Sequence, residues 1–343
     1  MTWQVVPWGG AVRGVANAGQ SWPRRDGLLL VLEGACLGEA TPLPGFCDDS
    51  LERARAALGS LPAPVDDVDA VEALARELAS PSARFALETA LLDRIARRRG
   101  VALSRLLGAK VDGVPRSVLV GTMSDPGMLD NAQRAVTRGA RTLKLKATGR
   151  DLDEESRRLT ELRSRVGPDV ALRLDLNGSL DAPAAREALV TYARHGVELC
   201  EEPAAGAELR KLGAEATPWL TDESALGDDA FEAFLSHPSC AGFVLKPTCT
   251  GGLLPALRRA RRALASGKRA IVSHAFEGPV ALAAAAALAL ALGEDAHGVD
   301  THPALVAFPA AELSALPERA PLRVVAPPRP GLGLRFEEPW PSR

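Results

Sequence analysis

Aromatic residues are scarce in this chain, and neither sign of charge dominates. Phe, Trp and Tyr make up 4% of the 343 residues, with Tyr192 as the single tyrosine. Proteins that bind single-stranded nucleic acid stack bases on aromatic side chains, and this sequence offers no such platform. The formal net charge is −2, so a basic surface for nucleic acid or an anionic membrane is also lacking. Both shortages argue against those partners.

Cysteine pairs and long apolar runs are lacking as well. The cysteines are odd in number and form no Cys-x-x-Cys pair, which is typical of reduced thiols in a cytosolic protein; they are Cys36, Cys47, Cys200, Cys240 and Cys249. The N-terminus shows no signal-peptide pattern. The Ala-rich stretch 278–292 is about 15 residues long, short of the ~20 that span a bilayer. We therefore predict a cytoplasmic protein without a membrane segment, in which 278–292 is a buried helix.

Apolar residues, by contrast, are abundant. They form 46% of the chain, against 24% charged residues, so a large core of Ala, Leu and Val is expected. The length allows two domains, because an α/β barrel alone takes about 250 residues.

Five short β-prone runs in the middle of the chain each end in charge. These ends are Lys146, Asp175, Glu201, Asp222 and Lys246, spaced by 29, 26, 21 and 24 residues. A strand, a helix and two loops of a right-handed parallel crossover need about 20 to 30 residues. In a (β/α)₈ barrel, functional side chains lie at the C-terminal strand ends. The spacing therefore predicts a barrel mouth that gathers these five side chains and Lys144.

Three of the predicted mouth residues are acidic. Asp175, Glu201 and Asp222 would repel one another unless a cation lay between them, and oxygen ligands favour Mg²⁺ or Mn²⁺. For any one of these positions, a solvated loop residue is the alternative interpretation. The ordered set as a whole favours a metal site.

Taken together, these motifs resemble a known family. Lys144-Leu-Lys, Asp175-Leu-Asn, Glu201-Glu-Pro, Thr221-Asp-Glu-Ser and the KPTCTGG run from Lys246 resemble the enolase superfamily, in its muconate-lactonising branch, which includes the o-succinylbenzoate synthases. The resemblance covers nearly the whole chain. It implies a (β/α)₇β modified TIM barrel, residues 111–301, and an α+β capping domain, residues 1–110 completed by 302–343.

The family's chemistry implies roles for the charged residues. Asp175, Glu201 and Asp222 would bind Mg²⁺, with Mn²⁺ as an alternative. Lys146 would remove a proton α to a carboxylate, with Lys144 lowering its pKa and contacting that carboxylate. Lys246 would steady the intermediate from the opposite side.

Neighbouring polar residues leave part of the metal assignment open. The family's E-[EQ]-P pattern favours Glu201 over Glu202 as the ligand, and Asp222 is preferred to Glu223 on the same ground. Asn177, Glu202 and Glu223 stay open as further contributors. His195, His237, His297 and His302 show no ligand spacing and are expected to be structural or exposed.

The segment 273–278 bears on the substrate. It loosely matches the family region that holds a succinyl carboxylate, so Ser273 and His274 are candidate substrate-binding residues. His274 as a general base is a less favoured alternative. The Asp-x-Asp motif of dipeptide epimerases is not found in this segment, which weighs against peptide substrates.

The resemblance implies an o-succinylbenzoate synthase, a lyase of menaquinone biosynthesis. It would dehydrate 2-succinyl-6-hydroxy-2,4-cyclohexadiene-1-carboxylate, a small-molecule carboxylate. The alternatives are an N-succinylamino acid racemase, as sole or second activity, an acid-sugar or dipeptide-type relative, and a catalytically silent metal-binding homologue. The oligomeric state is open, a homo-oligomer included.

The remaining elements are assigned from local patterns. In the cap we predict strands at 27–33 and 35–40, helices at 51–78 and 83–99, an N-cap at Ser82 and a buried stripe of Leu87, Leu91 and Ile95. Loops 15–22 and 42–47 would cover the mouth. Barrel strands are predicted at 117–121 and 269–273, with a weak eighth at 297–300. Runs 322–325 and 332–336 would be strands that return to the cap.

Overall fold

The chain forms a parallel barrel sheet and a separate antiparallel sheet. The computed structural model describes residues 3–15, 21–33, 35–293, 295–308 and 322–335. Within these ranges the strands are β1 Trp3–Ala11, β2 Arg24–Leu32, β3 Cys36–Ala40, β4 Gly113–Pro115, β5 Ser117–Thr122, β6 Thr142–Lys146, β7 Ala171–Asp175, β8 Val197–Glu201, β9 Trp219–Thr221, β10 Cys240–Leu245, β11 Arg269–Val272 and β12 Arg323–Val325.

Helices connect the strands of the barrel and complete the cap. They are α1 Leu51–Ala57, α2 Val68–Arg76, α3 Pro81–Arg98, α4 Leu103–Leu106, α5 Met128–Thr137, α6 Leu152–Val166, α7 Ala182–Ala193, α8 Gly206–Leu209, α9 Asp228–Leu235, α10 Pro247–Thr250, α11 Leu253–Ala265 and α12 Pro279–Leu292, with 3₁₀ turns at Glu223–Ala225 and Pro303–Ala307.

The parallel sheet is the predicted barrel. Its strands follow chain order from β5 to β11, each hydrogen-bonded to the next. His297 and Gly298 bridge the two edge strands, His297 to Arg116 before β5 and Gly298 to Ser273 after β11. The weak eighth strand predicted at 297–300 is therefore reduced to two bridging residues, and these close the barrel.

Local sequence explains the barrel helices. Asp151 caps α6 by accepting a hydrogen bond from the Glu154 amide, and Gly167 ends that helix at φ 80°. The predicted buried helix at 278–292 is confirmed as α12. All but its last two residues are buried, so a helix that is apolar on every side lies inside the protein.

The antiparallel sheet β1-β2-β3 packs on α3. The predicted stripe is confirmed, because Leu87 and Leu91 are fully buried and Ile95 is 2% exposed. Gly38 lets strand and helix approach closely. A Cβ at that position would lie 1.9 Å from the Ala86 carbonyl oxygen, so any larger residue would push α3 away from β3.

Two predictions within the cap are wrong. The helix predicted over 51–78 is two helices, α1 and α2, and the break between them contains Pro62 and Pro64. Proline cannot donate a backbone hydrogen bond, so a helix does not continue through such a stretch. The N-cap of α3 is Ser80, which accepts from the Ala83 amide, and not Ser82.

The C-terminal tail differs in part from its prediction. Strand β12 pairs with β4, which directly precedes the barrel, and not with the cap sheet. The second predicted strand, 332–336, is not a strand over its described residues 332–335, and Phe336 lies outside them. Leu332 nevertheless reaches the cap, since its amide donates to Asp93 of α3 at 2.7 Å.

The division into two domains, at the boundaries given above, stays a prediction. The strands predicted at 27–33 and 35–40 correspond to β2 and β3, and Gly34 between them lies outside the described residues. In the part of the chain that the structure describes, no helix is both long and apolar enough to cross a bilayer.

Candidate active site

The barrel strands place the predicted site residues at one level. Lys146, Asp175 and Glu201 are the last residues of β6, β7 and β8, and the parallel pairing sets them side by side in that order. Asp222 follows β9 directly, and Lys246 follows β10. Consecutive parallel strands end at the same edge, so side chains 100 residues apart in sequence meet there.

Lysine ammonium groups lie between the carboxylates. The Lys144 Nζ is 2.9 Å from an Asp175 oxygen and also donates to Glu201. The Lys146 Nζ is 3.8 Å from the same Asp175 oxygen and donates to Asn177 Oδ1 at 2.8 Å. Lys246 forms an ion pair with Asp222. The predicted bases and ligands therefore form two ionic groups, one of Lys144, Lys146, Asp175 and Glu201 and the other of Lys246 and Asp222.

Glu202 and Glu223 take different positions from their acidic neighbours. Glu202, at φ 43°, accepts hydrogen bonds from the amides of Asp222 at 2.6 Å and Ser224 at 3.1 Å. Burial, followed by the charge of Glu223, raises the pKa of Glu202 to about 7. Asn177 donates to Glu223 at 3.4 Å. Glu202 thus holds the loop that presents Asp222, and it does not contact the lysines.

Burial and ion pairing act against each other at this site. Burial alone would lower the pKa of Lys144, but Asp175 and Glu201 outweigh it and raise that pKa above its ordinary value. Burial would likewise raise the pKa of Asp175, but Lys144 and Lys146 hold it below the usual range. Lys246 follows the same pattern as Lys144, because Asp222 overcomes the effect of burial and raises its pKa.

The residues fit a divalent cation in their chemistry. Asp175, Glu201 and Asp222 are each at most 4% exposed, and Asp222 Oδ1 is buried without a hydrogen-bond partner. Burial and, after it, the charge of Glu223 raise the pKa of Asp222, which disfavours its charged form in the absence of a cation. A cation there would be favoured by hard oxygen ligands.

The carboxylates are not arranged as a ready coordination shell. In the described ranges no group of three His, Cys, Asp or Glu side chains is placed to hold a metal ion. The Lys144 ammonium contacts two of the three carboxylates. Metal binding would require this lysine to move away from them.

A cavity of about 450 Å³ opens above these two ionic groups. Among the predicted residues, those that line it are Lys144, Lys146, Asp175, Asn177, Lys246, Ser273 and His274. Glu201 and Asp222 do not line the cavity, but each forms an ion pair with a lysine that does. The described lining combines ammonium groups on the barrel side with apolar side chains on the cap side, which suits a partly apolar carboxylate.

The cap-side wall includes residues that sequence reasoning did not assign. Trp22, Leu43 and Phe46 come from the two predicted loops, although residues 16–20 of the first loop lie outside the described residues. The Phe46 ring centroid is 4.1 Å from the Lys246 Nζ, a cation–π contact. This chain has few aromatic residues. An aromatic residue on a Pro- and Gly-rich loop is therefore the sequence signal that indicates Trp22 and Phe46 as wall residues.

The histidines of the cavity also go beyond the prediction. His274 lines it, and its Nδ1 accepts from the Phe276 amide at 3.2 Å. Its ring centroid is 4.2 Å from that of His302. Burial lowers the pKa of His302 to about 3, and both its ring nitrogens are buried without partners. His302, expected to be structural or exposed, therefore presents a neutral ring to the cavity. Asp300 lines the cavity as well.

The fold and the site are those of a barrel enzyme. A parallel barrel carries acidic and lysine side chains at its C-terminal mouth, and an antiparallel cap covers that mouth. The chain belongs to the enolase superfamily, since residues 127–340 match the family model described as "Enolase C-terminal domain-like". Its relatives place it in the muconate-lactonising-enzyme-like branch.

Curated relatives include epimerases and cycloisomerases. The chain is 32% identical to an L-Lys-D/L-Arg epimerase of Methylococcus capsulatus, over 91% of this chain and 89% of that protein. It is 27% identical to muconate cycloisomerase 1-1 of Acinetobacter lwoffii, over 88% of this chain and 83% of that protein. Among solved structures, the chain aligns with a dipeptide epimerase of Methylococcus capsulatus in complex with Mg and the dipeptide L-Arg-D-Lys. The TM-score is 0.81 and the identity 29%, and the alignment covers 98% of this chain and 99% of that one.

Proposed function

We propose that this protein removes a proton from the carbon α to a carboxylate, with Lys146 as the base. The ionic groups at the barrel mouth support this assignment. Lys146 lines the cavity and has the neutral Asn177 amide as its nearest described partner, at 2.8 Å. Lys144, in contrast, is held by two carboxylates. Lys146 is therefore the lysine of the pair that is free to turn toward a substrate in the cavity.

Lys246 would act from the other side of the substrate. It follows β10, which is separated from β6 by three strands in the sheet, and in a barrel of eight strands this is the opposite wall. Asp222 raises its pKa, and the Phe46 ring lies against its ammonium. A lysine held as a cation and directed at an aromatic ring is suited to stabilising a planar, electron-rich intermediate.

The overall reaction we propose is that of an o-succinylbenzoate synthase. Lys146 takes the α-proton of 2-succinyl-6-hydroxy-2,4-cyclohexadiene-1-carboxylate, the bond to the ring hydroxyl breaks, and the hydroxyl leaves as water with a proton returned by Lys146. The single observation that carries this choice is the asymmetry of the lysines, because only one of them needs to exchange a proton. The apolar wall of Trp22, Leu43 and Phe276 supports a ring-shaped substrate.

Asp175, Glu201 and Asp222 would hold Mg²⁺ or Mn²⁺ once Lys144 has moved away. A bound divalent cation would stabilise the negative charge that develops on the substrate carboxylate. Lys144 would then be free to contact that carboxylate. Ser273 and His274, at the end of β11, are proposed to contact the second carboxylate arm.

An epimerase of N-acylated amino acids is the second candidate. The epimerase relative at 32% identity supports it, and so does the placement of Lys146 and Lys246 on opposite walls, which suits proton removal from one face and return to the other. Segment 273–278 is the one part of the sequence that weighs against peptide substrates. Asp300 also lines the cavity and supplies a carboxylate for an amino group, which favours a peptide substrate.

Two assays on the purified full-length protein with Mg²⁺ separate the candidates. The first follows the ultraviolet loss of the cyclohexadiene substrate. The second follows α-deuterium exchange in D₂O, with N-succinyl amino acids and with L-Lys and L-Arg dipeptides. EDTA-sensitive dehydration that is fast relative to exchange supports the synthase. Efficient exchange with slow dehydration would overturn it in favour of an epimerase, and inactivity in both would refute both candidates.

The Lys246→Arg variant sharpens the choice. Arginine keeps the positive charge but does not exchange a proton near neutral pH. A synthase should therefore keep measurable dehydration in this variant. An epimerase should lose epimerisation in both directions, because its second acid/base is gone, and should keep at most the α-deuterium exchange of the epimer whose proton Lys146 removes.

A further inference from the structure

Arg25 of strand β2 joins the cap to the barrel through backbone carbonyls. In the cap loop that follows β3, its Nη2 donates to the Thr41 carbonyl at 3.0 Å and its Nη1 to the Pro42 carbonyl at 2.9 Å. In the segment that follows β11, its Nη2 also donates to the Ala275 carbonyl at 3.2 Å and its Nε to the Phe276 carbonyl at 2.9 Å. One guanidinium group therefore holds a loop of the cap against a segment of the barrel.

These contacts are buried and depend on the shape of the guanidinium group. Arg25 is 1% exposed and is not among the described residues that line the catalytic cavity, so it does not contact a substrate there. Glu277 and Glu39, both buried, supply negative charge near it. Arginine has five donors in a rigid planar fork, whereas lysine has a single ammonium group. The Arg25→Lys variant should therefore keep the charge while breaking the link between the two segments.

Both of the segments that Arg25 holds contribute to the apolar wall of the cavity. Leu43 lies directly after the held carbonyls of the cap loop, and Phe276 lies in the barrel segment. The Phe276 backbone has φ 55°, a conformation that residues with a Cβ rarely adopt and that the surrounding structure has to impose. Its ring centroid is 6.3 Å from that of Trp22 and 5.6 Å from that of His302. Since Arg25 binds the Phe276 carbonyl, losing that contact would let the backbone relax and move the ring.

We propose that Arg25 is a positioning residue for substrate selection, because it fixes the cap loop against the segment after β11 and so sets the shape of the apolar wall. The role rests on the proposed function only in that the substrate occupies this cavity, and it applies to either candidate reaction. Lys146 and Lys246 lie at the ends of other strands, β6 and β10. Arg25 should therefore affect substrate binding more than proton transfer.

Hydrogen exchange followed by mass spectrometry tests the link without a substrate. Amide exchange reports local opening of the folded protein, and the amides of Phe46 and Ala275 are both hydrogen-bonded within these segments. The full-length protein and Arg25→Lys are compared after circular dichroism has shown both to be folded. We expect the peptides that cover 41–47 and 274–278 to exchange at least about threefold faster in the variant.

Arg94→Lys is the matched control for the loss of a buried guanidinium group. Arg94 is also 1% exposed, but it pairs with Glu33 and Asp66, which both belong to the cap. It should leave exchange in the two segments unchanged. The proposal is overturned if Arg25→Lys opens the two segments no more than this control does.

Steady-state kinetics test the effect on the substrate, in whichever of the two assays the unmodified protein is active. Arg25→Lys should raise KM at least about tenfold and change kcat less than about threefold, because binding is lost and proton transfer is kept. Arg94→Lys should change neither constant. A fall in kcat at unchanged KM, or kinetics equal to those of Arg94→Lys, would overturn the proposal. Inactivity of the unmodified protein in both assays would refute the proposed function, and hydrogen exchange would then decide on Arg25 alone.

Discussion

The barrel interior contains a buried ionic network beneath the charged strand ends, and its removal should destabilise the fold strongly. Arg173 of β7 donates to Glu198 at 2.7 Å, to Asp295 at 2.8 Å and to the Ala296 carbonyl at 2.6 Å. Arg269 of β11 donates to the same two carboxylates. Since β7 and β11 are four positions apart in the sheet, these contacts join opposite walls.

The two arginines differ in burial, which sets the expected magnitudes. The Arg173 side chain is 2% exposed and that of Arg269 is 33% exposed. Removing one partner of a buried charge network costs about 3–5 kcal/mol. Arg269 still pairs with both carboxylates in Arg173→Met, so we expect the lower end, about 3 kcal/mol. Arg269→Met removes a partly solvated cation and should cost about 1 kcal/mol.

Urea-induced unfolding, followed by tryptophan fluorescence and by far-ultraviolet circular dichroism, measures both variants. Coincident transitions are needed before free energies are compared. The double variant leaves Glu198 and Asp295 without either cation, so its loss should exceed the sum of the single losses. If Arg173→Met costs no more than Arg269→Met, or if the two losses simply add in the double variant, the shared carboxylates do not couple the two arginines and the network does not stabilise the barrel.

Three further predictions follow from individual contacts. Lys146→Ala should abolish turnover while circular dichroism and Mg²⁺ binding by calorimetry stay unchanged, and near-normal activity would refute its role as base. Burial raises the pKa of Glu88 to about 8, so the stability that its protonated form contributes is complete below about pH 4.5 and is lost as pH rises through about 8. The free energy of unfolding of Glu88→Gln should lack this decline between pH 5 and 8, and an equal slope in both proteins would contradict it. Phe46→Leu removes the ring that lies against Lys246 and should raise KM about threefold to tenfold, whereas an unchanged KM would show that the ring does not contribute to binding.

The positions of the charged strand ends could be predicted because the information is local. Each of Lys146, Asp175, Glu201, Asp222 and Lys246 follows a short apolar run, and the structure places each of them at the end of a strand or one residue after it. Parallel strands connected by helices must end at one edge. The spacing alone therefore predicts that these side chains lie at one end of the barrel, without knowledge of any pairwise contact. Their chemical roles do not follow from it and stay predictions.

The contacts that depend on tertiary packing could not be predicted. Glu88 of α3 accepts from the Leu254 amide at 2.8 Å, across 166 residues of sequence, and caps a helix that has no side-chain cap of its own. No local pattern marks such a pair. The same holds for Phe46 against Lys246, because a loop residue of the cap reaches the barrel only once both units are packed.

The barrel strands and the cap loops should contribute differently to substrate specificity. The residues proposed to transfer protons are placed by strands, whose ends are fixed by the ladder, while Trp22, Leu43 and Phe46 are placed by loops. Loops tolerate substitution more readily than the strands they connect. A change of substrate in this architecture should therefore need few changes on the barrel side and several on the cap side. Exchanging the 42–47 loop for that of an epimerase relative tests this. Lys146-dependent deuterium exchange with the new substrate should rise while the barrel residues stay the same, and loss of all proton exchange would mean that the loop also positions the lysines.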